Sequence, residues 1–229
     1  MRSHGGKFGV GLFLLSLLAI LMASGCGSGS STKLRVVNAS PNQGNLDVLL
    51  DGKSVATMLG YINATDYLST TSGSRHLQLE QTGTTTIAMD RTIALGSGTD
   101  TTFILTNTIN NLGELTLTDE ITAPTGGELR LVHVAPGLGA VDVYVLSEGI
   151  DINNISSPTI SNFSFQTVSN YLTLPVGSYH VYFTPLGNKS FAYISAGPIS
   201  LTAGQVRTVL ALNDPSGIGY TSVTLKDLN

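Results

Sequence analysis

The sequence of 229 residues has one cysteine, no tryptophan and few charged residues, which make up 11% of the chain. A single cysteine excludes an internal disulfide, so burial of apolar side chains has to hold the fold together. The 11 basic residues are outnumbered by 15 acidic ones, a balance that gives no basic surface for nucleic-acid phosphates. The 41% hydrophobic content and the 26 glycines instead favour a globular, strand-rich exported protein.

The N-terminus has the organisation of an export signal. Arg2, His4 and Lys7 are cationic, and an apolar run follows at residues 8–22. This run is shorter than the roughly 20 residues that a membrane-spanning helix needs. Three small residues then precede Cys26, the sole cysteine. The order of these features predicts a secreted or membrane-anchored protein.

This segment resembles a bacterial lipoprotein signal, in which small residues precede the cysteine that becomes the lipidated N-terminus. The resemblance implies a signal peptide at residues 1–25 and acylation of Cys26, with enough acyl chains for stable membrane attachment. The alternative is a chance cysteine in an ordinary signal peptide that is cleaved nearby. Gly27 stands where an aspartate commonly retains lipoproteins in the inner membrane, which favours the outer membrane if the host is Gram-negative. Residues 26–32 would form a flexible tether with a reach on the order of 13 Å.

One stretch of the sequence occurs twice. Residues 34–50, LRVVNASPNQGNLDVLL, return 95 positions later at residues 129–145 as LRLVHVAPGLGAVDVYV. Further pairs recur in the same order, with offsets that grow from 104 to 108: Tyr67 and Tyr171, Thr102 and Thr208, and Asp119 and Asp227. Repetition in this order predicts one fold present twice, with longer loops in the second copy.

Both copies have the pattern of β-strands, in short β-branched segments separated by Gly, Pro, Asn and Ser. In the first copy the predicted strands are at residues 34–39, 46–50, 54–58, 64–69, 75–81, 84–94, 101–107 and 114–119. The spacing predicts an all-β protein of two tandem immunoglobulin-like antiparallel β-sandwich domains after the signal peptide. The domains are predicted at residues 33–122 and 128–229, with a hinge at residues 123–127.

The paired stretches LRVVNASP and LRLVHVAP, each followed by Asp-Val in a second strand, resemble the bacterial envelope domain family of unknown function numbered 4397. The resemblance covers residues 33–229 and implies two extracytoplasmic β-sandwiches behind a lipoprotein or secretion signal. The family motif usually has a histidine where His133 stands in the second copy, whereas the first copy has Asn38. The departure at Asn38 argues against a shared catalytic role for this position.

His133 and Asp142 are the residues from which a catalytic site would have to be built. They lie on either side of one predicted turn, and an aspartate can orient a histidine for base catalysis. A hydrolase also needs a positioned nucleophile, and the sequence has no G-x-S-x-G motif. The alternative is that His133, like Asn38, closes its turn by bonding backbone groups. An exported hydrolase is therefore the second of two functional hypotheses.

Tyr144, His180 and Tyr182 are predicted to point outward from the second sandwich and to form a binding face. Exposed aromatic side chains on a rigid sheet can stack on sugars or anchor a protein partner. The alternative is that these rings pack against the first domain or an overlying loop. A second candidate is the long loop between Val145 and Tyr171, which contains a nine-residue insertion relative to the first copy.

No motif in the sequence implies a metal or a cofactor. The four histidines and the single cysteine have neither H-E-x-x-H nor C-x-x-C spacing, and no phosphate-binding glycine loop opens a helix. The leading hypothesis is a membrane-anchored, non-catalytic envelope lipoprotein that acts as a structural, adhesive or partner-binding module. Its expected contacts are the membrane, through the N-terminal lipid, and a protein or glycan of the envelope.

Overall fold

The computed structural model describes residues 1–2, 5 and 30–229. In this part of the chain the regular structure consists of strands and of two single-turn 3-10 helices, Ile109–Asn111 and Ile152–Asn154. The all-β prediction is confirmed. The rest of the predicted signal peptide, Cys26 and residues 27–29 lie outside the described residues, among which no helix is both long and apolar enough to span a bilayer.

The first half of the described chain forms a sandwich-like unit of two four-stranded sheets, β4-β1-β7-β8 and β3-β2-β5-β6. Seven of the eight predicted strands coincide with observed ones to within three residues at either end, whereas the fourth begins four residues later than predicted because Ala64 makes only an isolated bridge to Val37. The strands of this first unit are β1 (Ser31–Asn38), β2 (Leu46–Leu50), β3 (Lys53–Leu59), β4 (Leu68–Thr71), β5 (Gly73–Gln81), β6 (Ile87–Leu95), β7 (Asp100–Thr106) and β8 (Gly113–Asp119).

The remaining strands form a second unit with the same strand order, in the sheets β12-β9-β15-β16 and β11-β10-β13-β14. Within each unit one pair of neighbouring strands is parallel, β1 with β7 and β9 with β15, so the prediction of purely antiparallel sheets is wrong for that pair. The strands are β9 (Gly127–His133), β10 (Val141–Ser147), β11 (Ile160–Phe163), β12 (Leu172–Leu174), β13 (Gly177–Pro185), β14 (Ile194–Leu201), β15 (Val206–Asn213) and β16 (Tyr220–Leu228).

Two predicted segment boundaries lie inside strands. Ser31 and Thr32 were assigned to the flexible tether, but they pair with β4, and the Thr32 hydroxyl donates to the Thr99 carbonyl at 2.6 Å. Gly127 was assigned to the hinge but is the first residue of β9, where an added side chain would collide with Leu201. These three residues, predicted to belong to linkers, are therefore part of the sheets.

The sheets β4-β1-β7-β8 and β12-β9-β15-β16 pack against each other and join the two units. Leu34 and Val36 of β1 face the interior of the first unit, whereas Val37 belongs to an apolar layer that it shares with Val132 and Leu210 of the second unit. Strands β7 and β15 are consequently buried on both faces, as is typical of strands in parallel pairing. The protein thus has four stacked sheets separated by three apolar layers.

Buried ion pairs cross this interface at one end. The Arg35 guanidinium donates to the Asp227 carboxylate at 2.5 Å and to the Thr102 hydroxyl at 2.8 Å. Arg130 makes the equivalent contacts with Asp119 and with the Thr208 hydroxyl. Each unit therefore supplies one arginine that is neutralised by the aspartate of the other unit.

Two tyrosines complete this interface cluster. The Tyr67 hydroxyl donates to Asp119 at 2.7 Å, and the Tyr171 hydroxyl donates to Asp227 at 3.1 Å. Each ring also lies under a guanidinium, with 4.6 Å from the ring centroid to Arg35 or Arg130. Burial, followed by the neighbouring aspartate, raises the pKa of both tyrosines well above the ordinary value, so both remain hydrogen-bond donors.

Strands β1 and β9 of the two packed sheets run in the same direction. Arg35 and Arg130, in the middle of β1 and β9, meet in one cluster, while the Tyr61 hydroxyl beside the end of β1 donates to the Asn213 carbonyl at the end of β15. Gln166, beside the end of β9, donates to the Thr106 hydroxyl at the end of β7. The protein therefore has a near end, where β1 begins, and a far end, where β1 and β9 finish.

Candidate binding surface

His133 and Asn38 close equivalent turns at the far end with the same set of hydrogen bonds. The backbone N–H two residues further on donates to each side chain, from Ala135 to His133 Nδ1 at 3.4 Å and from Ser40 to Asn38 Oδ1 at 3.2 Å. Each side chain in turn bonds the carbonyl six residues further on, that of Gly139 at 3.2 Å or Gly44 at 3.3 Å. An imidazole and a carboxamide can replace each other here because both offer an acceptor and a donor.

His133 is fully buried, and this burial lowers the pKa of its imidazole. The neutral ring accepts at Nδ1 and donates from Nε2, which is the protonation state that the turn requires. The turn-closure hypothesis is confirmed for this residue. A buried ring with both nitrogens bonded to backbone groups has no free atom with which to abstract a substrate proton.

Asp142 does not bond His133. Its carboxylate accepts from the backbone N–H of Asn162 at 3.1 Å and of Gly187 at 2.8 Å. Asp47, its counterpart in the first unit, accepts from the Met58 N–H at 3.0 Å. Asn162 and Met58 both have a positive φ, 54° and 58°, so each aspartate fixes an irregular residue in an edge strand.

The predicted binding face is only partly exposed. Tyr144 and Tyr182 are opposite each other on β10 and β13, and the His180 ring stacks on Tyr182 with 6.1 Å between ring centroids. His180 and Tyr182 are half-buried, as the alternation predicts. Tyr144 is only 5% exposed, so the prediction that it is available on the surface is wrong. Tyr144 is not among the residues of the apolar interior of its unit, so its burial comes from segments that lie on the outer face of the sheet.

The insertion between Val145 and Tyr171 is fastened to the loop that follows β13. The Lys189 ammonium donates to the carbonyls of Asn153, at 3.0 Å, and Ile155. The Thr159 hydroxyl accepts from the Val145 N–H at 2.9 Å, which places the end of the insertion beside β10. The insertion is thus bonded both to β10, the strand that contains Tyr144, and to the loop that follows β13.

Three aromatic side chains that the sequence interpretation did not select lie together at the far end of the second unit. Phe191 and Tyr193 precede β14, and their ring centroids are 5.3 Å apart at 83°. Tyr193 lies 6.0 Å from Tyr220, the first residue of β16, at 81°. Phe191 is 52% and Tyr193 39% exposed, whereas Tyr220 packs against the apolar interior. We call Phe191, Tyr193 and Tyr220 the aromatic cluster.

The first unit has no such cluster. By the register of the strands, the positions equivalent to Phe191, Tyr193 and Tyr220 are held by Thr86, Ala88 and Leu112. A sequence signal was present, because Phe191 and Tyr193 are two residues apart beside a glycine- and asparagine-containing turn, and alternate positions share one face of a strand. Tyr220 is 27 positions away from Tyr193, and only the sheet arrangement brings it to them.

The described residues contain no group of three or more His, Cys, Asp or Glu side chains that could hold a metal ion together. His76 bonds Asp90 at 2.7 Å on the exposed face of the first unit, and no third ligand of this kind joins the two. His180, its counterpart, lies on the equivalent strand of the other unit.

Comparison with known proteins gives a family of unknown function and similarity to solved structures. No curated protein matches the chain. The chain is similar, at 14% identity, to a crystallised family CBM26 module, CBMbc of Amy13K from Eubacterium rectale, in complex with maltoheptaose. The alignment covers 85% of this chain and 96% of that one, with a TM-score of 0.26, too low to support a conclusion. Residues 32–144 match the domain of unknown function DUF4397, which confirms the predicted family resemblance for the first unit and for β9 and most of β10.

Proposed function

We propose that the protein is a lipid-anchored, non-catalytic lipoprotein of the bacterial cell envelope that displays a partner-binding surface. In this proposal the export signal is followed by two copies of one immunoglobulin-like domain, and acylated Cys26 holds the chain on a membrane, the outer one in a Gram-negative host. The support for the anchor is the cationic N-terminus, the apolar run at residues 8–22 and the position of the only cysteine.

The observation that carries the proposal is the position of the aromatic cluster relative to the start of β1. Ser31, where β1 begins, is five residues from Cys26, whereas Tyr220 lies beside Asn213 at the opposite end of the packed sheets. A strand of eight residues is about 26 Å long. Lipidation of Cys26 would therefore leave the near end beside the membrane and the exposed rings about 26 Å further out.

The interface cluster explains how the far end of the second unit is kept away from the proposed anchor. Arg35 and Arg130 bond aspartates of the opposite unit in a buried environment, and an apolar layer continues from there towards the far end. Separation of the units would expose the apolar layer and break the two closest arginine–aspartate ion pairs. The second unit is consequently held in a fixed orientation to the first, and so to the proposed anchor.

The hydrolase hypothesis has no comparable support. His133 and Asp142 each bond backbone groups rather than one another, and an activated nucleophile requires an adjacent base. Both residues have counterparts, Asn38 and Asp47, with the same structural contacts in the first unit. Turn closure and support of an edge strand account for these side chains, and we assign them no catalytic role.

Fractionation of host cells that express the full chain tests the anchor. We expect the wild-type protein in the membrane fraction with labelled palmitate incorporated, and the Cys26→Ala variant without label and released from the membrane or retained as an unprocessed precursor. Ser28→Ala is the matched control, because it changes a neighbouring small residue and leaves the thiol in place. A Cys26→Ala protein that is processed and membrane-bound like the wild type would contradict the proposal.

A further inference from the structure

We infer that the aromatic cluster is a binding site for a neutral polysaccharide. The inference rests on the proposed function, since it names the partner that the far end of an anchored protein would bind. It comes from three properties of the cluster: the geometry of the rings, the area that they expose and the bonding state of the charged side chains around them.

The rings are held in place before any ligand arrives. Tyr220 packs on the apolar interior of the second unit, and the Tyr193 backbone N–H donates to the Phe183 carbonyl at 2.8 Å. Phe191 and Tyr220 each meet Tyr193 nearly at right angles, so the cluster presents ring faces and ring edges in alternation. The apolar C–H face of a sugar ring packs on an aromatic face, while a tyrosine hydroxyl can bond the sugar hydroxyls.

The exposed area fits sugar rings better than a protein surface. Three aromatic side chains of which two are 52% and 39% exposed offer on the order of 300 Å². A specific protein–protein interface of standard size buries roughly 800 Å² on each partner. The cluster is thus too small to form such an interface by itself, but it is large enough for a few sugar units.

The charged side chains of the neighbouring segments are bonded within the protein. The Lys189 ammonium donates to the carbonyls of Asn153 and Ile155, and buried Asp142 accepts from the Gly187 N–H. Asp214 accepts from the Ser216 N–H at 2.8 Å. Recognition of a charged polymer requires charges that are free to pair with it. The exposed groups beside the rings, Asn188 and Ser190, are instead neutral hydrogen-bonding side chains.

Affinity electrophoresis of the processed, detergent-extracted protein tests the inference. The gels contain one neutral polysaccharide each (amylose, hydroxyethylcellulose, galactomannan or xylan) or the polyanion alginate. We expect at least one neutral gel to retard the wild type, and we expect Phe191→Ala/Tyr193→Ala to weaken that binding at least about tenfold, as for aromatic residues at the centre of an interface. Ile87→Ala removes an exposed apolar side chain at the start of β6, the strand of the first unit that corresponds to β14, and should leave retardation unchanged.

The outcomes separate the inference from the proposed function. Absence of retardation in every neutral gel, retardation by alginate alone, or equal retardation of the double variant would each overturn the polysaccharide site. Loss of binding in His180→Ala/Tyr182→Ala with the cluster intact would move the site to the outer sheet and also overturn it. Unchanged melting temperatures establish that the variants are folded, and Phe191→Ala alone serves if the double variant is not. A protein that binds the polysaccharide but fails the Cys26 fractionation test would refute the anchor only.

Discussion

The two units have nearly the same buried contacts and different surfaces. Arg35, Thr102 and Asp119 of the first unit correspond to Arg130, Thr208 and Asp227 of the second. Each arginine bonds the aspartate of the other unit, and each threonine bonds the aspartate of its own unit. At the far end the correspondence stops, because three aromatic rings replace Thr86, Ala88 and Leu112. The repeated residues therefore explain how the units are joined, and the unrepeated ones indicate where a function specific to the second unit lies.

The contacts at the interface also explain why both copies of the repeat contain the same arginine, threonine and aspartate. Each arginine has its hydrogen-bonded carboxylate across the interface, on the aspartate of the other unit, while the aspartate of its own unit lies further away, at 3.8 Å from Arg35 and 3.5 Å from Arg130. The threonine of its own unit bridges each arginine to that second aspartate. Replacement of one of the charged residues would leave an opposite charge buried without its ion-pair partner. This reciprocity makes the two units a single structural body although each has an apolar interior of its own.

The largest expected effect is the loss of an interface aspartate. Asp119→Ala and Asp227→Ala each leave a buried guanidinium without its partner, so each should lower the free energy of unfolding by about 3–5 kcal/mol. Urea unfolding monitored by circular dichroism measures both values. Lys33→Ala is the control, because it removes an ion pair with Asp100 in which the lysine is half exposed, and should cost less than about 1 kcal/mol. Unequal costs for the two aspartates, beyond the error of the fits, would break the equivalence of the two halves of the cluster.

A smaller effect is expected at the turns closed by His133 and Asn38. His133→Ala removes two backbone contacts and leaves their groups unpaired, which should cost about 2 kcal/mol. His133→Asn introduces the side chain that closes the equivalent turn in the first unit, and its cost should stay below about 1 kcal/mol. Equal destabilisation by alanine and asparagine would show that the two turns are not closed in the same way.

The pH dependence of this pair of variants follows from burial. Because the folded state lowers the pKa of His133 below the ordinary value of about 6.5, the neutral ring is favoured in the native protein. Its contribution to stability is complete above that ordinary value and is lost as the pH falls below it towards the folded pKa. Unfolding curves between pH 7.5 and 5 should therefore converge for wild type and His133→Asn on acidification, and a constant gap would contradict the assignment.

Much of the fold, but less of the binding surface, could be predicted from the sequence. Alternation and turn residues located the strands, and the offsets of the repeat paired Tyr67, Thr102 and Asp119 with their counterparts, because both are patterns along the chain. A repeat does not state which face of which sheet packs on the other copy, so the ion pairs between units could not be foreseen. The nearest signal in the sequence is the segment LRVV at residues 34–37, in which Arg35 interrupts a run that is otherwise apolar on both faces of the strand.

The prediction that Tyr144 is exposed on the binding face was wrong for a similar reason. Alternation correctly assigned Tyr144 to the outside of its sheet, but exposure also depends on the loops that cross that face. The inserted loop is bonded to Lys189, and no periodicity in the sequence predicts that contact. In the same way, Tyr220 joins Phe191 and Tyr193 only through the position of β16 in the fold, which strand propensity does not report.

The smallest expected effect concerns a buried position at which the units differ. Gln43 in the first unit is equivalent to Leu138, which packs in the apolar interior of the second unit. Among the described residues, neither the amide nitrogen nor the amide oxygen of the buried Gln43 side chain has a hydrogen-bond partner. A buried polar group without partners lowers stability, so Gln43→Leu should raise the free energy of unfolding by about 1 kcal/mol.

The reverse change, Leu138→Gln, should destabilise the protein under the same urea titration. A destabilised Gln43→Leu variant would mean that the first unit needs a polar group at this position. That result would contradict the equivalence of the two interiors at Gln43 and Leu138.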